Sequence, residues 1–240
     1  MTPPRVVVLD DEDAVAACVS DAMATRLATP GIHHVVLTGG GVGTRVLAEL
    51  VERSAPIDWD QVHLWWGDER FLPAGDTERN ETGARAALID AIPIPPDNVH
   101  PMPADVGQGA AQAALAYADE LARASHDGFV PDFDLLLLGM GPEGHIASLF
   151  PGMPALDAAA STAAIEDSPK PPPTRVTLTL AAIRAARDVW VVAAGAAKAE
   201  AAAAAVAPGT PPDAVPAAGA RGRESTIFWL DRAAAAGIED

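Results

Sequence analysis

His34-Val-Val-Leu-Thr-Gly-Gly-Gly-Val-Gly-Thr44 runs from a short apolar, β-branched stretch through four glycines into a segment with helical spacing. Strand, glycine turn and helix, in that order, form the repeating unit of an α/β sheet. The same alternation extends in both directions. Spacing and composition predict strands at Arg5–Leu9, His34–Thr38, Val62–Trp66, Asp134–Leu138, Val176–Leu178, Asp188–Ala193 and Thr226–Leu230. They predict helices at Glu12–Ala28, Gly43–Arg53, Glu78–Ile92, Gln108–His126, Leu180–Ala186 and Ala196–Ala207. Runs such as Leu135–Leu138 are apolar at every position, as in strands covered on both faces. The reading is therefore a mostly parallel sheet with helices on both sides. Pro93–Pro103, Pro169–Pro173 and Pro208–Pro216 resemble their flanks in composition and read as loops within one domain spanning 1–240.

The chain has 240 residues, 16 basic and 33 acidic, so its formal charge is 16 − 33 = −17. Such a balance disfavours nucleic acid and anionic membranes as partners. No apolar stretch reaches the roughly 18 residues of a membrane span. MTPPRVVVLDDED, with four apolar residues followed by four acids, does not read as a signal peptide. The one cysteine, Cys18, excludes a disulfide framework and any multi-thiolate metal site. HExxH and CxxC are absent, and His33-His34 has no partners at ligand spacing, so no metal is expected. A cytoplasmic, globular protein is the expectation. Apolar residues make up 49%, but much of that is alanine, which favours helix and buries little area.

In open α/β sheets, ligands bind where strands end in loops. Three segments follow apolar strands: TGGGVGT from Thr38, GDER from Gly67 and GMGPEGH from Gly139. The glycine turn offers backbone N–H groups and a helix N-terminus, which suit a phosphate or carboxylate. No Gly-Lys-Ser/Thr follows, so it is not a Walker loop. Arg45 is close in sequence but reads equally well as solvent-facing. Lys198, one of two lysines, opens an Ala-rich helix where its charge opposes the helix dipole, and Arg175 opens RVTLT. Asp68-Glu69-Arg70 alone would be a salt bridge capping the sheet. Gly139, Gly141 and Gly144 match a dinucleotide fingerprint, but Glu143 would repel a pyrophosphate and Pro151 would end the following helix within two turns. His145 reads either as an acid–base group or as a loop hydrogen-bonder. No Gly-x-Ser-x-Gly elbow is present.

Taken together, VVLTGGG, WWGDERFLP with Asn80, LLLLGMGPEGHIASLFPG, RVTLTLAAI and VVAAGAAKAEA resemble the 6-phosphogluconolactonases, a family related to the glucosamine-6-phosphate deaminases. The resemblance covers nearly the whole chain. It implies a single-domain three-layer α/β/α fold with a Rossmann-like sheet. It also implies hydrolysis of 6-phospho-D-glucono-1,5-lactone, the second step of the oxidative pentose phosphate pathway, with no cofactor. The partner would be a small phosphosugar lactone, and the protein a monomer or weak homo-oligomer. His145 would be the general base, with Asp68 and Arg70 near the lactone C1 and Arg70 facing the developing oxyanion. Gly39, Gly40, Arg175 and Lys198 match the phosphate positions.

Three departures stand out. The family's SGGSTP is TGGGVGT here, so Gly41 and Val42 replace a Ser and a Thr, and phosphate falls to backbone N–H groups with Thr38 or Thr44. GPDGH is GPEGH, so Glu143 replaces the Asp that would orient His145. Arg79 replaces a Ser before Asn80. Two other functions compete. The deaminases carry a Glu five residues after the His, where this chain has Phe150. A non-catalytic sugar-phosphate sensor would bring a basic DNA-binding module, and none is visible.

Overall fold

A computed structural model describes residues 3–238; the outermost residues of the expected 1–240 domain lie outside the described residues. Seven strands form one parallel sheet: β1 (Arg5–Leu9), β2 (His33–Leu37), β3 (Val62–Trp66), β5 (Val99–His100), β6 (Phe133–Gly139), β9 (Asp188–Ala193) and β10 (Ser225–Asp231). Their order is β1-β10-β9-β6-β2-β3-β5. The apolar runs sit where their composition demands. β6 and β9 occupy the middle, and Leu135–Leu138 and Val189–Ala193 are buried on both faces.

Six helices accompany the sheet: α1 (Glu12–Leu27), α2 (Gly41–Val51), α3 (Asn80–Ala87), α4 (Ala110–Arg123), α5 (Leu180–Ala185) and α6 (Ala199–Val206). α1 starts on an Asp11 side-chain cap, carries Glu12 and Asp13 in its first turn and ends with Arg26, the arrangement the helix dipole favours. α1 and α2 pack on each other over one face of the sheet, where Arg26 reaches Asp188. α4 lies on the opposite face, with Tyr117 against Trp65. The result is three layers around one continuous apolar cluster. No helix among the described residues is long and apolar enough to cross a membrane.

The structure departs from the sequence-based expectations in four places. Val176–Leu178 does not join the large sheet. It belongs to β8 (Arg175–Leu178), the middle of a small antiparallel sheet with β4 (Asp68–Arg70) and β7 (Thr162–Ile165). β4 is entirely charged and β7 (Thr-Ala-Ala-Ile) is half alanine, so neither carries the β-branched apolar run that marks a strand. The Pro93–Pro103 loop contains β5, a two-residue edge strand beside β3. Helix α3 stops at Ala87, and only a 3₁₀ turn at Ile89–Ala91 follows. No helix follows His145; that segment is a chain of turns held by bridges from Ile146 to Met140 and Leu149.

β2 connects onward to β3 on one side, whereas β6 leads to β9 on the other. Adjacent strands whose connections diverge leave a crevice at their C-terminal ends. Thr38 and Gly139 flank that crevice, and the Gly139 N–H donates to Thr38 Oγ1 at 3.0 Å.

Candidate active site

A cavity of about 240 Å³ opens at this crevice. Its walls come from the ends of β2, β6 and β9 and from β4 and β8. Nine of the residues picked out from the sequence as site candidates line it: Thr38, Gly39, Gly40, Gly41, Asp68, Arg70, His145, Arg175 and Lys198. Thr44 and Glu143 do not. Thr44 lies inside the first turn of α2, its N–H bonded to the Gly40 carbonyl. Arg45 points away and pairs with Asp13 and Glu12. α2 starts without a side-chain cap, so its first N–H groups are free to meet a ligand at the cavity wall.

Asp68-Glu69-Arg70 is not the self-contained salt bridge that its sequence suggests. Strand alternation sends Asp68 and Arg70 to the cavity and Glu69 into the interior. There Glu69 accepts the N–H groups of Arg70 (2.8 Å), Asn80 (2.6 Å) and Glu81 (2.9 Å). Helix α3 has no side-chain cap of its own, so Glu69 caps it from a distant strand. Burial pushes the Glu69 carboxyl up to about 6, against the pull of those N–H groups and of Arg79. Arg79, itself buried, lies 3.5 Å from Glu69 and 3.1 Å from Glu81 and donates to the carbonyls of Leu72 and Met102. The departure from the family's Ser therefore adds a buried cation with its own carboxylates.

This network fixes Asn80, to which the sequence alone assigns no role. Its Nδ2 donates to the Asp68 carbonyl (2.8 Å) and to Asp68 Oδ1 (3.3 Å). On its other side Oδ1 fills the space over Gly39, where any Cβ would lie 2.0 Å from it. Asn80 thus ties β4 to the glycine turn. Asp68 is held further by Ser148, whose hydroxyl donates to Oδ2 at 2.6 Å.

His145 stands on the turn after β6. Its ring stacks on buried Phe150, with centroids 4.3 Å apart. The Nδ1–Cε1 edge lies over Gly141, where a Cβ would come within 1.9 Å of Nδ1. Glu143 Oε1 is 3.1 Å from Nδ1 but off the line of a ring N–H, so the contact is charge proximity and not an aligned hydrogen bond. Burial lowers the His145 pKa below the ordinary imidazole value; Glu143 pulls upward, and Lys170 adds to the lowering. The ring is thus kept neutral at neutral pH, as a proton acceptor requires.

Arg175 reaches the cavity wall but uses most of its donors elsewhere. Nε donates to the Pro172 carbonyl, and Nη2 to those of Lys170 and Pro171. Nη1 stands 4.0 Å from Asp68. Lys198 differs: among the described residues it has no ion-pair partner. Burial lowers its pKa and Lys170 adds to this, with Glu143 opposing. It is an ammonium that faces the cavity without a carboxylate paired to it among the described residues. No group of three or more His, Cys, Asp or Glu among the described residues is arranged to hold a metal ion.

A sequence profile described as glucosamine-6-phosphate isomerases/6-phosphogluconolactonase matches residues 10–229. The chain belongs to this family. Within the glucosamine-6-phosphate isomerase/6-phosphogluconolactonase family it is 51% identical over 209 residues to the 6-phosphogluconolactonase of Mycobacterium leprae, covering 85% of this chain and 84% of that one. It is 47% identical to the 6-phosphogluconolactonase of Mycobacterium tuberculosis, over 96% and 97% of the two chains. Among solved structures, 6-phosphogluconolactonase from Thermotoga maritima superposes with a TM-score of 0.82 at 27% identity, over 95% and 99% of the two chains. A monomeric glucosamine-6-phosphate deaminase shares the fold at a TM-score of 0.81 and 17% identity. Both chemistries of this family thus occur on one backbone, and the site residues must distinguish them.

Proposed function

We propose that this chain hydrolyses 6-phospho-D-glucono-1,5-lactone to 6-phospho-D-gluconate, the second step of the oxidative pentose phosphate pathway. One observation carries the reading beyond the family's names: an uncharged imidazole and an unpaired ammonium, His145 and Lys198, open into the same cavity beside the glycine turn. One suits a proton-transfer step and the other a phosphate. Phe150 supports the lactonase over the deaminase, because the position that must transfer a proton in the deaminases holds an aromatic ring stacked on His145. A cytoplasmic location, a soluble phosphosugar substrate, and a monomer or weak homo-oligomer belong to the same proposal.

In this reading the phosphate docks on the N–H groups of Gly39–Gly41 and on Lys198. The lactone C1 then sits between His145 and the Asp68–Arg70 strand. His145 takes a proton from water as the water oxygen attacks C1. Arg70 faces the oxyanion that forms on the carbonyl oxygen. When the C1–O5 bond breaks, the imidazolium returns its proton to O5. Asp68, fixed by Ser148 and Asn80, positions the strand that presents Arg70. Because most Arg175 donors hold the 170–172 carbonyls, we assign it mainly to building the wall and secondarily to phosphate.

A positioned base contributes typically about 10²–10⁴-fold, and one oxyanion donor about 3–4 kcal/mol. The test follows freshly generated lactone with spontaneous hydrolysis subtracted. His145→Ala is expected to lower kcat by about 10²–10⁴-fold with little change in KM. Lys198→Ala is expected to raise KM by about tenfold or more. Full turnover by His145→Ala, or ammonia release from glucosamine 6-phosphate by the native protein, overturns the proposal.

A further inference from the structure

Ser168-Pro-Lys-Pro-Pro-Pro173 contains four prolines and therefore few backbone donors. Its carbonyls must find partners elsewhere. The Ser168 N–H closes the loop on Pro173 O at 3.0 Å, and the Lys170 N–H bonds Ser168 Oγ. Buried Arg175 donates to three successive carbonyls, those of Lys170, Pro171 and Pro172. The loop is thereby held rigidly against the site, and it presents a single cation.

That cation is the Lys170 ammonium, 2.9 Å from Glu143 Oε1 and 3.0 Å from Oε2. Glu143 Oε1 is also the atom 3.1 Å from His145 Nδ1. One carboxylate thus stands between an ammonium and the imidazole, held by the first and merely adjacent to the second. A free carboxylate there would rotate onto the ring and stabilise the imidazolium, which cannot accept a proton. Burial works against the Glu143 charge, yet the Lys170 hydrogen bond and the backbone N–H of Glu143 itself outweigh it and hold the carboxyl below its ordinary range.

We propose that Lys170 is a positioning residue for the hydrolytic base: it engages both oxygens of Glu143, keeps that carboxylate from closing onto His145, and leaves the imidazole free to accept a proton from water. The inference rests on the proposed lactone hydrolysis and adds a residue to it. The other charges facing His145 are Asp68 across the cavity and Arg70, Arg175 and Lys198 on its walls. All of these remain when Lys170 is changed.

The experiment measures kcat/KM against pH for the native protein, Lys170→Met and Lys170→Arg. In Lys170→Met the acid limb is expected to move to higher pH. Activity then falls about three- to tenfold on the acid side and stays within about twofold on the alkaline plateau, with KM there unchanged. Lys170→Arg is expected to keep the native limb, and adding Glu143→Gln to Lys170→Met is expected to reverse the shift. An unmoved limb in Lys170→Met overturns the proposal, as does a raised plateau KM with an unmoved limb, which would make Lys170 a phosphate ligand. NMR titration of His145 in the native protein and Lys170→Met reads the same shift without substrate. If native protein leaves the lactone intact, the proposed function fails while this titration still decides the role of Lys170.

Discussion

Gly141 has no chemistry of its own, yet the position of His145 depends on it. The imidazole lies where a side chain at 141 would be, with Phe150 against the ring face. Gly141→Ala places a methyl group 1.9 Å from Nδ1 and 2.7 Å from Glu143 Oε2, so the ring must move. A displacement of about 1 Å at a reacting group costs on the order of 10²-fold. We therefore expect Gly141→Ala to lower kcat about 10²-fold, checked by steady-state kinetics with a parallel melting curve. A variant that melts early and turns over normally would contradict this. The sequence made His145, Lys198 and the glycine turn legible, because each stands directly after an apolar strand. It did not reveal Glu69, Asn80 or Lys170. Their roles depend on partners on other elements, and neither composition nor spacing records which strand a buried carboxylate will cap.

Among the secondary-structure elements, the edge formed by β2, β3 and β5 carries a row of aromatic and imidazole rings. The Trp65 indole N–H donates to His34 Nδ1 at 3.1 Å, His63 Nδ1 meets His100 Nε2 at 3.0 Å, and His100 Nδ1 meets Glu120 at 2.9 Å. Trp65 stacks on His100 at 3.9 Å. Because His34 Nδ1 accepts a hydrogen bond, protonating it places two donors face to face. Burial, followed by the charges of His63 and His100, lowers its pKa from 6.5 to about 4. The unfolded chain thus binds this proton near 6.5 and the folded protein only near 4. Stability from His34 is complete above the first value and is lost as pH falls toward the second. We expect the melting temperature to drop across that window. In His34→Asn, which keeps an acceptor but cannot titrate, the slope should be shallower. Equal slopes by calorimetry would refute the assignment. Strands with uniform apolar runs are readable from the sequence; β4, β5 and β7 are short and carry no such run.

For the whole molecule, a net charge of −17 surrounds a cavity walled by Arg70, Arg175 and Lys198. Excess like charge opposes compactness, and salt screens it over a Debye length of about 8–10 Å. The melting temperature is therefore expected to rise between about 10 mM and about 150 mM sodium chloride. A fall would mean that surface ion pairs such as Arg45–Asp13 and Arg232–Asp10 outweigh the repulsion.

The order β1-β10-β9-β6-β2-β3-β5 also bears on how the chain is made. β1 is synthesised first, but its only neighbour in the sheet is β10, with Arg5 opposite Ile227. Until β10 has emerged, that early segment has no edge to join. The glycine turn, Asp68 and His145 all emerge well before Lys198. A nascent chain can therefore assemble most of the crevice before its unpaired ammonium arrives, and its first strand docks last.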